Sequence, residues 1–154
     1  KMMINGAVTL GTLDGANVEI RDAVGAENMI LFGMTAEQAA GLKRSGYQPR
    51  EFADRTPALG GALREMGTGF CGVSFRDIAD SLLGSDPYMV LADFASYAKA
   101  RGRSAQLYAD SAAWRRMGFT NIAQAGRFSS DRAIREYAER IWHASPLAEF
   151  QKRP

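Results

Sequence analysis

The sequence predicts an α/β fold, one strand, helix, strand unit at the amino end followed by mostly helices, and three observations predict it. Two short apolar runs, Ala7-Val-Thr-Leu-Gly-Thr12 and Asn28-Met-Ile-Leu-Phe-Gly33, have the character of strands covered on both faces. Between them, Asp14 can cap a helix with its carboxylate and Gly25 can end that helix with a positive φ. Residues 7–33 thus have the length of a right-handed parallel crossover. After Gly33 the apolar residues recur at helical spacing instead. The chain accordingly divides into residues 1–34, the βαβ end of a parallel sheet, and residues 35–154, the helical remainder of the same unit. Two strands alone leave an edge and an apolar face open, so further strands from elsewhere and an exposed sheet face are expected.

The helices follow in order. Thr35 and Gln38 have capping-box spacing and open a helix to about Ser45, which Gly46 closes. Pro49 and Pro57 suit first turns, where a missing N–H costs nothing, and predict helices over 49–54 and 57–67. Ser74 caps a helix over 75–83, and Gly84-Ser-Asp-Pro87 reads as a turn, with Tyr88 to Leu91 extended at best. From Asp93 a long helix carries Phe94, Tyr97, Ala98, Ala105 and Tyr108 and tolerates Gly102 at a cost of about 1 kcal/mol relative to alanine. Ser111 to Ala125 places Trp114, Met117, Gly118, Ile122 and Ala125 on one face before the stop at Gly126. The last helix begins after Ser129 or Ser130, favours Asp131 in its first turn, buries Ile134, Tyr137, Ala138 and Ile141, and ends at Pro146.

Composition bounds the function. With 154 residues, 46% hydrophobic and 23% charged, the chain fits one globular domain that hides roughly 70% of its unfolded surface. Nineteen Lys and Arg against seventeen Asp and Glu give +2, too weak a field to gather nucleic acid or anionic lipid. A single cysteine, Cys71, precludes an intrachain disulfide and fits a reducing compartment. A single histidine, His143, makes a Cys/His metal site unattractive, so no metal is expected. No apolar run approaches the roughly 18 residues of a membrane span, so a soluble, cytoplasmic protein is expected. The first residue is Lys1 rather than methionine, which suggests a piece of a longer or processed chain.

Few residues invite chemistry on their own. Gly11-Thr-Leu-Asp-Gly15 joins a strand to a helix start, a place where amides bind phosphate, but the spacing matches no nucleotide loop and Asp14 would repel an anion. An ordinary turn capped by Asp14 is the better reading. Cys71 reads as a small buried thiol, His143 as a helix-end residue without a catalytic partner, and Trp114 and Trp142 as core. Lys1 precedes Met2, Met3 and Ile4, apolar neighbours that disfavour charge on an amine, as a Schiff-base lysine requires; a solvated terminal lysine is the plainer reading.

The run Lys1-Met-Met-Ile-Asn-Gly-Ala-Val-Thr-Leu-Gly-Thr-Leu-Asp-Gly-Ala-Asn-Val-Glu19 closely resembles the pyridoxal-phosphate segment of the glycogen, starch and maltodextrin phosphorylases. The resemblance continues through Ile30-Leu-Phe-Gly-Met34, Gly46-Tyr47, Val90-Leu-Ala-Asp93, Asn121-Ile-Ala123 and Phe128-Ser-Ser-Asp-Arg132 to Ile141-Trp142, in the family's order. Between Met66 and Phe75 the family often carries a longer loop containing proline, a departure confined to that surface.

That resemblance implies a Rossmann-like C-terminal lobe of a two-lobe, GT-B type glycosyltransferase, whose sheet would supply the missing strands. It implies pyridoxal 5'-phosphate as cofactor, with Lys1 as the cofactor-binding lysine and no further catalytic residue carried over. The implied reaction is cleavage of a terminal α-1,4-linked glucose by orthophosphate, releasing glucose 1-phosphate, in an enzyme that is a homodimer. The glycine-rich stretch for the cofactor phosphate and the basic residues for orthophosphate are then expected upstream, leaving the isolated chain inactive. A non-catalytic helical interaction module derived from a phosphorylase is the alternative.

Overall fold

The structure, a computed structural model, describes residues 1–145; Pro146, the expected stop of the last helix, lies outside the described residues. Strand β1 (Leu10–Gly11), helix α1 (Ala16–Val24) and strand β2 (Ile30–Leu31) form the expected parallel crossover, with Leu10 opposite Ile30 and Gly11 opposite Leu31. The strands are much shorter than the apolar runs that contain them, because no third strand extends the ladder among the described residues. Their alternation is nonetheless that of a doubly covered sheet. Met29 and Leu31 pack with Met3, Ile20 and Val24, whereas Ile30 and Phe32 pack with Ala100, Met117 and Trp114. Helices from later in the chain therefore cover the face that was expected to be open.

The turn between β1 and α1 corrects the reading of Asp14. Helix α1 starts from Gly15, at φ 47°, with no side-chain cap; the Asp14 carboxylate instead accepts from the Thr12 hydroxyl at 3.2 Å. Asn17 holds the turn by donating from Nδ2 to the Thr12 carbonyl at 2.8 Å, and a Cβ on Gly11 would lie 2.6 Å from that nitrogen. Gly25 ends α1 at φ 83°, as expected.

Helices α2 (Ala36–Arg44), α3 (Pro49–Arg55), α4 (Pro57–Thr68) and α5 (Arg76–Gly84) follow the sequence signals closely. Thr35 and Gln38 form both halves of a capping box, and Pro49 and Pro57 open their helices. Ser74 is not the cap expected for α5: the helix starts from Phe75 with no side-chain cap, and Ser74 Oγ accepts only from Arg76 N, the first helical residue, at 3.3 Å. A core of Ala53, Leu59, Leu63, Ala79 and Leu91 holds α3 to α5 together. The turn between α4 and α5 exposes Cys71, contrary to the buried thiol expected. Phe70 and Val73 exchange backbone hydrogen bonds, which puts Cys71 (φ 51°) and Gly72 (φ 79°) at the tip of a tight reversal with no core to enter.

Helix α6 (Val90–Ala109) starts three residues before the expected position, so Val90 and Leu91 are helical and not extended. The cause is Asp86, considered below. Asp110 caps α7 (Ser111–Gln124), its Oδ1 accepting from Ala112 N at 3.1 Å and Ala113 N at 3.0 Å. The bond from Ala113 is the main influence holding this carboxyl below its ordinary range. Ser129 caps α8 (Ser130–Tyr137) through Arg132 N at 3.2 Å, and a π turn over Ala138–Trp142 prolongs it. The predicted buried stripe of α8 is exposed: Ile134 is 55% accessible and Ile141 62%. Trp142, stacked edge-on to Tyr137, is likewise outside the core, whereas Trp114 is half-buried as part of it.

Candidate functional site around Lys1

Lys1 leads into one tight turn, Met3–Asn5, that is pinned from three directions. Its own backbone closes it, with Asn5 N donating to the Met2 carbonyl at 3.0 Å and Gly6 N to the Met3 carbonyl at 2.9 Å. Asn5 Nδ2 adds a bond to the Lys1 carbonyl at 2.8 Å. Met3 then inserts beside Val24 and Met29, so the turn is anchored by a buried side chain.

The third anchor is α7. Gly118 lies so close to the turn that a Cβ there would be 3.0 Å from the Gly6 carbonyl oxygen, and Gly6 itself sits at φ 75°, where only glycine is comfortable. One turn further on, Asn121 is completely buried and donates from Nδ2 to the carbonyls of Asn28 and Met117, both at 2.9 Å. It ties α7 to the chain entering β2. Its Oδ1 is buried without a hydrogen-bond partner among the described residues.

The Lys1 side chain is exposed, and no hydrogen bond or ion pair reaches its ammonium among the described residues. Met2 and Ile4 are themselves 74% and 64% exposed, so the apolar neighbours read from the sequence do not enclose it. The arrangement offers an accessible primary amine on a fixed backbone. It brings no carboxylate, histidine or phosphate cradle to that amine within the described residues, and no group of three or more metal-ligating side chains occurs among them. Cys71 lies in the turn between α4 and α5, and His143, at φ 50°, closes the carboxyl end with Nδ1 3.2 Å from the Glu139 carbonyl. Neither joins Lys1. No helix among the described residues is long and apolar enough to cross a membrane.

A second buried polar centre escaped the sequence reading. Asp86 is 1% exposed at φ 33°, and its carboxylate accepts from the Tyr47 hydroxyl at 2.6 Å, from Val90 N at 2.9 Å and from Leu91 N at 2.8 Å. It caps α6 from four residues before the first helical position, which is why α6 begins earlier than its apolar pattern suggests. Burial, and then the hydrogen bond and charge of Asp86, push the Tyr47 phenol well above its ordinary value. This centre is structural; it tethers the chain ahead of α3 to the start of α6.

By class, this is an α/β protein in which a short parallel crossover and its backing helix α7 hold one exposed lysine on a fixed turn. The family model described as Carbohydrate phosphorylase matches residues 1–144, and the chain belongs to that family. It is 46% identical over 151 residues to a glycogen phosphorylase of Synechocystis sp., a match covering 96% of this chain and 18% of that protein. To the brain form of glycogen phosphorylase of Bos taurus it is 43% identical over 152 residues, again 96% of this chain and 18% of the relative. To the liver form of Homo sapiens it is 41% identical over 150 residues, 95% and 18%. The chain thus spans less than a fifth of the length of these relatives.

Proposed function

We propose that this chain is the cofactor-anchoring segment of an α-1,4-glucan phosphorylase, with Lys1 as the residue to which pyridoxal 5'-phosphate attaches. The observation that carries the reading is the family match over residues 1–144, which includes Lys1, together with the accessibility of that amine on a pinned turn. An aldehyde cofactor requires an accessible primary amine in a reproducible position, and the described residues fit that requirement. They fit no more than that, since the donors for the cofactor's phosphate are not among them.

In this reading the cofactor, when bound, supplies a phosphate group that exchanges protons with orthophosphate as the terminal glucose is released as glucose 1-phosphate. The contribution of this chain is positional. Met3, Asn5 and the contact between Gly6 and Gly118 fix the backbone of Lys1, and Asn121 fixes α7 against the crossover that carries them. A displacement of the anchored group by an ångström would misalign reacting phosphates that must be held in register. The remaining length found in the relatives would house the glucan and orthophosphate contacts, complete the two-lobe enzyme and carry its dimer contact.

The test is a chimera in which this chain replaces the matching segment of the Synechocystis enzyme. With glucan and orthophosphate it releases glucose 1-phosphate, and Lys1→Ala abolishes that release. The isolated 154 residues release none. Turnover by the Lys1→Ala chimera near that of the parent chimera contradicts the assignment of Lys1.

A further inference from the structure

The carboxyl ends of β1 and β2 open into a cavity of about 390 Å³ that is separate from the Lys1 turn. Four aromatic side chains, Phe32, Tyr88, Phe94 and Tyr97, form most of its wall, with Val90 and Thr12 completing it. Phe32 and Tyr97 meet edge to face with centroids 5.3 Å apart, which fixes two of the rings. Asp93 is the one charged residue among the lining residues. The position is the place where open α/β sheets hold ligands, beyond the carboxyl ends of their parallel strands.

The carboxylate is set there by the backbone. Asp93 Oδ1 accepts from Met34 N at 2.9 Å, and Ser96 Oγ accepts from Gly33 N at 3.0 Å, so the chain leaving β2 is clamped to α6. Gly33 has φ 80°, and a Cβ on it would lie 2.7 Å from Asp93 Oδ2 and 2.8 Å from Thr12 Cγ2. Only glycine lets the carboxylate approach the strand ends this closely. The second carboxylate oxygen is thereby held against the cavity's strand-end wall.

The wall chemistry selects among ligands. A phosphate or carboxylate would meet Asp93 and no basic group among the lining residues. Arg101 is not among them; it lines a smaller hollow together with Phe94, Tyr97 and Ala98. A sugar could stack its C–H face on a ring but needs several polar partners for its hydroxyls; the lining is mostly apolar, and the Thr12 hydroxyl is already donating to Asp14. A cation with an apolar shell satisfies both features at once, because aromatic faces and a carboxylate each attract positive charge and the rings accept the methyl or methylene surface. We propose that this cavity is a binding site for a small organic cation of the alkylammonium class.

The experiment titrates the full chain with choline, with its neutral isostere 3,3-dimethylbutan-1-ol, with maltose and with inorganic phosphate, following backbone amide resonances. Choline shifts the amides of Gly33, Met34 and Asp93 saturably, and the neutral isostere binds about tenfold more weakly, the span expected for cation–π and carboxylate attraction together. Maltose and phosphate leave those amides unmoved. Tyr88→Ala, at a rim position 87% exposed and therefore without consequence for folding, weakens choline binding severalfold. Asp93→Asn keeps an oxygen for Met34 N and abolishes the preference for choline over its isostere. Equal binding of choline and the isostere, saturable binding of maltose or phosphate at these amides, or no saturable choline shift in the millimolar range each overturns the proposal.

Discussion

Helices α4 and α8 carry apolar residues at the same helical spacing and meet opposite fates. Leu59 and Leu63 of α4 are each 5% exposed in a shared core with Ala53, Ala79 and Leu91, whereas Ile134 of α8 is 55% exposed. An amphipathic stripe states which face of a helix would gain from burial. Whether a partner stands opposite is decided by the rest of the chain. For α4 the partners α3 and α5 are its sequence neighbours, joined by short turns, so a local pattern suffices to place all three. Helix α8 follows α7 by a single short turn, and the described residues offer its stripe no opposing surface.

The difference can be broken from the buried side first. Asp86→Ala removes the acceptor of three donors, leaving Leu91 N buried and unpaired and the part-buried Tyr47 hydroxyl and Val90 N without their partner, so a loss of about 4 kcal/mol is expected in urea unfolding. Leu63→Ala leaves a cavity in the same region and costs about 3 kcal/mol. A loss below about 1 kcal/mol for both would mean that the α3 to α5 core is not the stable part of the molecule.

Tyr47 adds a pH signature. Its phenol is raised in the folded state, so above the ordinary tyrosine value of about 10 the unfolded chain releases this proton while the folded chain keeps it. Stability from this group is complete below that pH and declines as pH rises above it. Tyr47→Phe lowers stability at neutral pH by losing the bond to Asp86 and flattens the alkaline decline relative to the parent. Identical slopes above pH 10 for the two proteins, measured by urea titration, contradict the burial of that phenol.

On the exposed side the smallest effect is expected. Ile134→Ala changes the stability of this chain by less than about 0.5 kcal/mol, because the side chain removes little surface from water. A cost like that of Leu63→Ala would show that the stripe is covered in solution.

Where a signal is local, the sequence shows it. The capping box at Thr35, the prolines opening α3 and α4, and the glycine stop of α1 each act within one helical turn and were legible. Asp86 was not, because a carboxylate that caps from four residues upstream, with a hydroxyl from Tyr47 as its third partner, is assembled only by tertiary contact. The cover over the β-sheet was missed for the same reason: Ala100 and Met117 reach it from helices far along the chain. Lys1 shows a mixed case. Resemblance singled out the residue, but its support by Gly118 and Asn121 could not be read from its neighbours, and the apolar residues beside it do not enclose it.

The most direct measurement is the location of the cofactor linkage. The chimera with the Synechocystis enzyme is incubated with pyridoxal 5'-phosphate, reduced with borohydride and digested, and the modified lysine is identified by peptide mass. Stoichiometric label on Lys1, with Lys43 and Lys99 unmodified and label lost in Lys1→Ala, is the predicted result. Label spread over Lys43 and Lys99 with Lys1 unmodified, in a chimera that still releases glucose 1-phosphate, would contradict the assignment of Lys1 as the cofactor anchor.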